Sequence, residues 1–225
     1  MVWLSGFLWE RTDRNDITEL CVVEKRHVLS SESSERIFGK HSGFRNLKAY
    51  QIAELCYDFT CRFCELYIPV KDRHHDQMVQ AARSGFHNIR EGSELSATTK
   101  KLELNLTNVA RGSLGELHKD YKKYLQRKRL PLWEKENAEM FSEARNLHPE
   151  SLEVASEWVN CQGRKQSREE RAVNLGAVLS AQAHYLVEKL MARQAEDFEK
   201  DGGFSERLYK ARIKNRQNGQ NGSHD

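Results

Sequence analysis

The sequence predicts an all-α protein: an antiparallel up-down four-helix bundle with extra short helices and disordered termini. Apolar residues recur at intervals of three and four through several long segments. Only 3 of 225 residues are proline and 31% are charged, which is typical of long solvated helices. The turns between the first three periodic segments are short, so neighbouring helices are expected to run in opposite directions.

The first long helix is predicted over residues 44–68. Its apolar side recurs at helical spacing and consists of Phe44, Leu47, Leu55, Phe59, Phe63 and Leu66, broadened by Tyr50 and Tyr57. Pro69 is expected to end this helix, because proline has no backbone N–H to continue it.

The second helix is predicted over residues 72–91, with Asp72 as its N-cap. Its inner side is expected to consist of Met78, Ala81, Ala82, Gly85, Phe86 and Ile89. Gly92 stands where a left-handed residue would terminate the helix.

The third helix is predicted to start at Ser96, Thr98 or Thr99 and to reach residue 126. Its apolar stripe consists of Leu102, Leu106, Val109, Ser113, Leu117, Tyr121 and Tyr124. Pro131 closes this section.

The fourth long helix is predicted over residues 168–199 and is expected to bury Leu175, Leu179, Leu186 and Leu190. It follows a helical excursion at 127–167 that contains two short helices, over 134–147 and 150–160. The glycine pair Gly202-Gly203 ends it.

Three regions follow from this organisation. Residues 1–43 form an N-terminal arm or linker, and residues 44–199 form the bundle with its excursion. Residues 200–225 form a basic C-terminal suffix, FSERLYKARIKNR, and a disordered tail.

The middle of the bundle carries a motif that resembles a known family. It runs through Gln77, Ala81-Ala82, Ser84, Asn88-Ile89 and Glu91-Gly92, and continues as Ala110-x-Gly112-Ser113-Leu114-x-Glu116-Leu117. This motif, with FRNLKAYQIAEL at 44–55, resembles the small bacterial four-helix-bundle family. That family includes proteins encoded in intervening sequences of large-subunit ribosomal RNA genes and the accessory protein of diversity-generating retroelements. The ending GGFSERLYKAR is similar to the family's four-helix-bundle suffix type.

The resemblance implies a non-enzymatic bundle, commonly a homopentamer with a central channel. It also implies RNA or DNA, a reverse transcriptase or another protein as partner. Small residues at helical spacing, such as Gly85, Gly112 and Gly115, indicate close backbone approach. The approach is either within one chain or at a seam between subunits.

The cysteines leave two interpretations open. The five cysteines have no framework spacing, which favours reduced thiols and a cytoplasmic setting. Cys61 and Cys64 form a CxxC near His74 and His75, which is either a partial metal site or buried thiols beside a solvated helix start. We expect no metal, no cofactor, no catalytic residues and no membrane span.

Two basic clusters are the best candidates for a functional surface. The nucleic-acid contacts predicted from them are Lys119, Lys122, Lys123, Arg127, Lys128, Arg129, Arg207, Lys210 and Arg212. Such residues neutralise phosphates and release counterions, which gives salt-dependent binding with little sequence preference. Further charge lies at the starts of the third and fourth helices, from Lys100, Lys101, Arg164, Lys165, Arg168 and Arg171. Tyr121 and Tyr124 lie among the basic residues, but on the predicted core stripe.

The sequence therefore predicts a non-enzymatic oligomeric scaffold or accessory protein that contacts nucleic-acid backbone. A pure protein–protein assembly module is the alternative. A metal-assisted hydrolase using the cysteine and histidine residues is a third hypothesis, which requires bound metal.

Overall fold

Every regular element in the described part of the chain is helical. The computed structural model describes residues 43–96, 99–134 and 138–201, together with Tyr209, Arg212 and Ile213. After a short 3-10 turn, Phe44–Asn46, these residues form six α-helices and no β-strand: α1 (Lys48–Tyr67), α2 (Arg73–Leu95), α3 (Lys100–Lys128), α4 (Ala138–Asn146), α5 (Leu152–Asn160) and α6 (Arg168–Asp201). The all-α prediction is confirmed. The predicted arm at 1–43 and the predicted disordered tail lie almost entirely outside the described residues.

The helix ends follow the predicted turn chemistry in most places. Ile68, next to Pro69, is extended and ends α1. Asp72 caps α2, since its carboxylate accepts a hydrogen bond of 2.9 Å from the backbone N–H of His74. Thr99 precedes α3, although its hydroxyl makes no capping hydrogen bond. Helix α3 ends at Arg129, whose backbone is left-handed with φ 54°.

The four long helices enclose a shared apolar core. Helix α2 packs against α1 and α3, and α6 packs against α1 and α3. Toward the turn between α1 and α2, the core contains Phe59, Phe63, Leu117, Tyr121 and Leu175, among others. A second apolar cluster lies farther along the same helices, around Tyr50, Ile89, Leu114 and Val187.

The glycine predicted to stop the second helix has a different role. Helix α2 continues past Gly92 to Leu95, and Gly92 is buried. A Cβ at this position would lie 3.3 Å from the carbonyl oxygen of Glu103. The glycine therefore permits close approach of α2 to the first turn of α3, and the prediction of a left-handed stop is wrong.

The predicted apolar stripe of α3 is correct in its second half and rotated in its first. Leu117, Tyr121 and Tyr124 are fully buried, whereas Leu102 is 39% and Val109 is 51% exposed. The residues buried in the first half are Glu103, Thr107, Ala110 and Leu114. These buried positions each lie one residue after a predicted one, and one residue corresponds to a rotation of about 100° around the helix axis.

Hydrogen bonds explain why polar residues occupy that inner position. Glu103 accepts hydrogen bonds from Lys100 (2.8 Å) and from the buried amide of Gln194 (3.0 Å). A pattern of apolar residues in the sequence cannot reveal such a buried polar pair. On α1, Leu66 is likewise 56% exposed, so its assignment to the inner stripe was also wrong.

The excursion between α3 and α6 covers the outer side of α6. All ten residues from 171 to 180 are buried. The Trp133 backbone N–H donates to Asn174 (2.9 Å), and the Trp133 and Trp158 rings meet edge to face at 6.2 Å. The two short helices predicted here are confirmed as α4 and α5, and the N-terminal part of α6 is therefore enclosed by them and by the long helices.

Small residues mark close contacts within one chain. A Cβ on Gly85 would lie 2.7 Å from Leu114, and one on Gly115 would lie 3.2 Å from His184. The Ser84 and Ser113 hydroxyls are hydrogen-bonded at 2.9 Å. Gly112 differs, since a Cβ there would meet no atom within 4 Å. Tight packing within the chain thus accounts for Gly85 and Gly115 but not for Gly112.

Among the described helices, none combines the length and apolar character that a membrane crossing requires.

Candidate nucleic-acid interface

The C-terminal half of α3 presents its cations outward because its tyrosines hold the opposite side in the core. The Tyr121 hydroxyl lies 2.9 Å from the Thr60 hydroxyl. The Tyr124 hydroxyl donates to the Glu169 carboxylate at 2.6 Å. Both rings are fully buried, so neither is available to stack on a nucleic-acid base, as their place on the core stripe predicted.

Two ion pairs bring three separate chain segments together at the end of α3. Arg127 lies 3.2 Å from Asp72, at the turn between α1 and α2. Lys128 lies 3.2 Å from Glu169, in the first turn of α6. The segments 70–73, 127–129 and 168–169 therefore form one surface, which we call the basic end.

The basic end carries a net positive charge. Its three segments contain six cationic side chains, all exposed, and two carboxylates, giving a net charge of +4: Lys71, Arg73, Arg127, Lys128, Arg129 and Arg168 against Asp72 and Glu169. Ion pairing reduces the availability of Arg127 and Lys128. Lys71, Arg129 and Arg168 form no ion pair with any described residue.

The local pKa shifts reflect these contacts. The hydrogen bond from the His74 backbone N–H, together with Arg127, lowers the pKa of Asp72. Burial and the neighbouring Glu169 carboxylate raise the pKa of the Tyr124 hydroxyl. Asp72 thus stays charged and Tyr124 stays a hydrogen-bond donor at neutral pH.

The other predicted contacts on α3 lie farther from its end and have local partners. Lys123 lies 3.4 Å from Asp120, and Lys122 lies 4.0 Å from Glu134. Lys119 is exposed and forms no ion pair within the described ranges. Ion pairs as accessible to water as these contribute little to stability.

Several basic residues expected to enlarge this surface serve the protein's own structure. Arg171 is 3% exposed, and its guanidinium donates to the carbonyls of Val159 (2.8 Å), Cys161 (3.2 Å) and Gln166. Arg164 forms two hydrogen bonds to Glu143. Lys100 is paired with Glu103. Arg164, Arg171 and Lys100 therefore add no free charge for a ligand.

The second predicted cluster lies mostly outside the described residues. Arg212 is exposed in a helical turn, and Arg207 and Lys210 are not described.

Lys71 and Arg73 are the members of the basic end that sequence reasoning missed. They flank the capping residue Asp72, in a turn whose sequence indicates a helix boundary and no run of cations. In an antiparallel bundle, the turn between the first and second helices lies at the same end as the C-terminus of the third helix. Applied to this sequence, that rule places Lys71 and Arg73 near Arg127–Arg129.

Cys56 and Cys64 are buried in the core, Cys61 is half-buried, and Cys161 is exposed. Burial raises the pKa of the Cys64 thiol to about 12 and also raises that of Cys61. Cys64 is therefore protonated at neutral pH, whereas a metal ligand or nucleophile needs the thiolate. Within the described ranges no group of three or more His, Cys, Asp or Glu side chains is arranged to hold a metal ion.

No protein-family model, curated protein or solved structure matches this chain.

Proposed function

We propose that this protein is a non-enzymatic accessory protein that holds nucleic-acid backbone at its basic end. One observation carries the proposal: two ion pairs join the three segments that contain Lys71, Arg129 and Arg168, which are exposed cations without ion-pair partners in the described structure. Cations grouped on one surface bind phosphates with a strength that depends on salt and little on sequence.

The arrangement we propose is an antiparallel up-down four-helix bundle, homo-oligomeric as the family resemblance implies. Two contacts support opposite directions for neighbouring helices. The C-terminal part of α3 contacts the turn before α2 through Arg127 and Asp72, and its N-terminal part contacts the C-terminal part of α6 through Glu103 and Gln194. Such an arrangement collects the ends of different helices on one surface.

The test is the affinity of the full chain for a fluorescent single-stranded RNA, measured by anisotropy at 0.1 M salt. The variant Lys71→Gln/Arg129→Gln/Arg168→Gln removes three exposed cations from the basic end. We expect about a tenfold or greater loss of affinity, since phosphate contacts supply most of such binding. Unchanged affinity would contradict the proposal.

A matched control removes the same charge at a distance. Lys101→Gln/Lys189→Gln/Arg193→Gln changes three exposed residues toward the other ends of α3 and α6. Residue 193 is 25 residues from residue 168, or about 38 Å along the helix. We expect the control to bind RNA within about twofold of the wild type, because it changes the electrostatic field of the whole protein but removes no cation from the basic end.

A protein–protein assembly module is the second candidate. Leu102 and Val109 are exposed on α3, and Gly112 has open space above it, so this side of α3 could receive another helix. This candidate would be favoured if light scattering showed a stable oligomer and the anisotropy assay showed no RNA binding.

A further inference from the structure

A cleft with an apolar floor lies between α1, the α4–α5 connection and the middle of α6. It consists of two adjoining cavities of about 990 and 630 Å³, both lined by Ile52, His148 and Leu186. Leu55 and Leu152 extend the floor on one side, and Phe141 extends it on the other. The cleft could accept a few apolar side chains from one short segment.

Acidic side chains surround the larger cavity. Glu54, Asp58, Glu150 and Glu153 line it and are exposed, against one cation, Lys48. None of the four carboxylates forms an ion pair with a described residue. Burial raises the pKa of the Asp58 carboxyl, and the neighbouring Glu54 and Glu153 carboxylates raise it further.

The C-terminal segment of the same chain has the complementary character. Residues 204–216 contain five basic residues and one acidic residue, a net charge of +4. Tyr209 and Ile213 both lie in helical turns and are 66% and 38% exposed. The basic segment therefore carries two large apolar side chains that are exposed to solvent.

We propose that residues 204–216 fold back along α6 and insert Tyr209 and Ile213 into this cleft, with the basic residues against its acidic rim. The occupant is the chain's own suffix. The N-terminal residues 1–42 carry seven acidic and six basic residues, a net charge of −1, and so lack the complementary charge.

The length of the chain permits this fold-back. Leu186 lies 15 residues before the end of α6 at Asp201, or about 22 Å along the helix. The 12 residues from Asp201 to Ile213 span about 18 Å if helical and about 40 Å if extended, which brackets that distance. Gly202-Gly203 supplies the conformational freedom for a reversal.

Photocross-linking of the full-length chain tests the proposal. Ile213 is replaced by p-benzoylphenylalanine, and the adduct is mapped by mass spectrometry. We expect adducts within one chain to residues 48–58, 141–153 or 182–186. Adducts between two chains, adducts to residues 1–42, or none at these three segments would overturn it. The same label at Val70, which is 77% exposed near the basic end, is expected to give no adduct to these segments.

A charge variant separates specific docking from chance contact. Asp58→Asn/Glu150→Gln neutralises two rim carboxylates, and Asp76→Asn/Glu91→Gln neutralises two exposed carboxylates on α2. We expect the rim variant to lower the adduct yield at least threefold and the α2 variant to leave it unchanged. Equal yields from both would contradict the role of charge. Raising salt to 1 M, where the screening length is about 3 Å, is expected to reproduce the rim variant's effect.

Discussion

Two helical glycines of this protein, Gly176 and Gly112, have opposite effects on packing. A Cβ on Gly176 would overlap the ring of Tyr121, which is fully buried and cannot move away. A Cβ on Gly112 would point into open space. The first glycine is required by packing, and the second only weakens its helix.

Gly176→Ala is therefore expected to destabilise the protein by about 1–3 kcal/mol, the usual range for overpacking a core. Gly112→Ala is its matched control and is expected to stabilise by about 0.5–1 kcal/mol, because alanine favours the helix. Urea denaturation measures both. Equal effects of the two substitutions would contradict the packing described for Gly176.

His118 is held neutral by its surroundings. Its Nδ1 lies 2.9 Å from the Ala177 carbonyl oxygen, which makes this nitrogen the donor, with Ser180 at 3.4 Å. Burial, and to a lesser extent Lys122 and His184, lower the pKa of its imidazole below the ordinary 6.5.

This shift predicts that stability falls as the pH falls below about 6.5. The unfolded chain takes up a proton near that pH, whereas folded His118 takes it up only at a lower pH, so stability is present at neutral pH and falls in mild acid. We expect His118→Gln to reduce the loss between pH 7 and pH 5.5 in urea denaturation. Part remains, since the pKa of His87 is lowered in the same direction. A loss identical in wild type and variant would contradict this role.

At the scale of elements, a buried guanidinium joins the end of α5 to the start of α6. Arg171 donates to Val159 and Cys161, at the C-terminal end of α5, and to Gln166 just before α6. A cation at this position also interacts favourably with the C-terminal end of the helix. Periodicity identified α4 and α5 but not this connection, because an arginine is assigned to the surface in any sequence pattern.

Arg171→Ala is expected to cost about 3 kcal/mol, since it leaves buried carbonyls without a donor. Arg168→Ala, exposed in the same turn, is expected to cost less than about 0.5 kcal/mol. Urea denaturation gives the totals, and hydrogen exchange over residues 138–160 localises the effect. Unchanged exchange there in the Arg171 variant would contradict its role as a connector.

At the scale of the whole molecule, sequence predicted the elements better than the surfaces. All six helices were expected within a few residues, because apolar spacing, Pro69 and Asp72 are local signals. The rotated start of α3 was missed, because Glu103 is buried through a partner 91 residues away. The sequence predicted part of the basic end, because Arg127–Arg129 are three consecutive cations. Lys71 is distant in sequence and lies near them only in the folded protein.

The salt dependence of RNA binding tests the central claim most directly. The logarithm of the binding constant is measured against the logarithm of salt concentration for the wild type and for Lys71→Gln/Arg129→Gln/Arg168→Gln. Each phosphate contact to a single strand contributes about 0.7 to the slope, so we expect the variant's slope to be smaller in magnitude by about 2. Parallel lines for the two proteins, or no binding by the wild type at low salt, would contradict a phosphate-binding basic end.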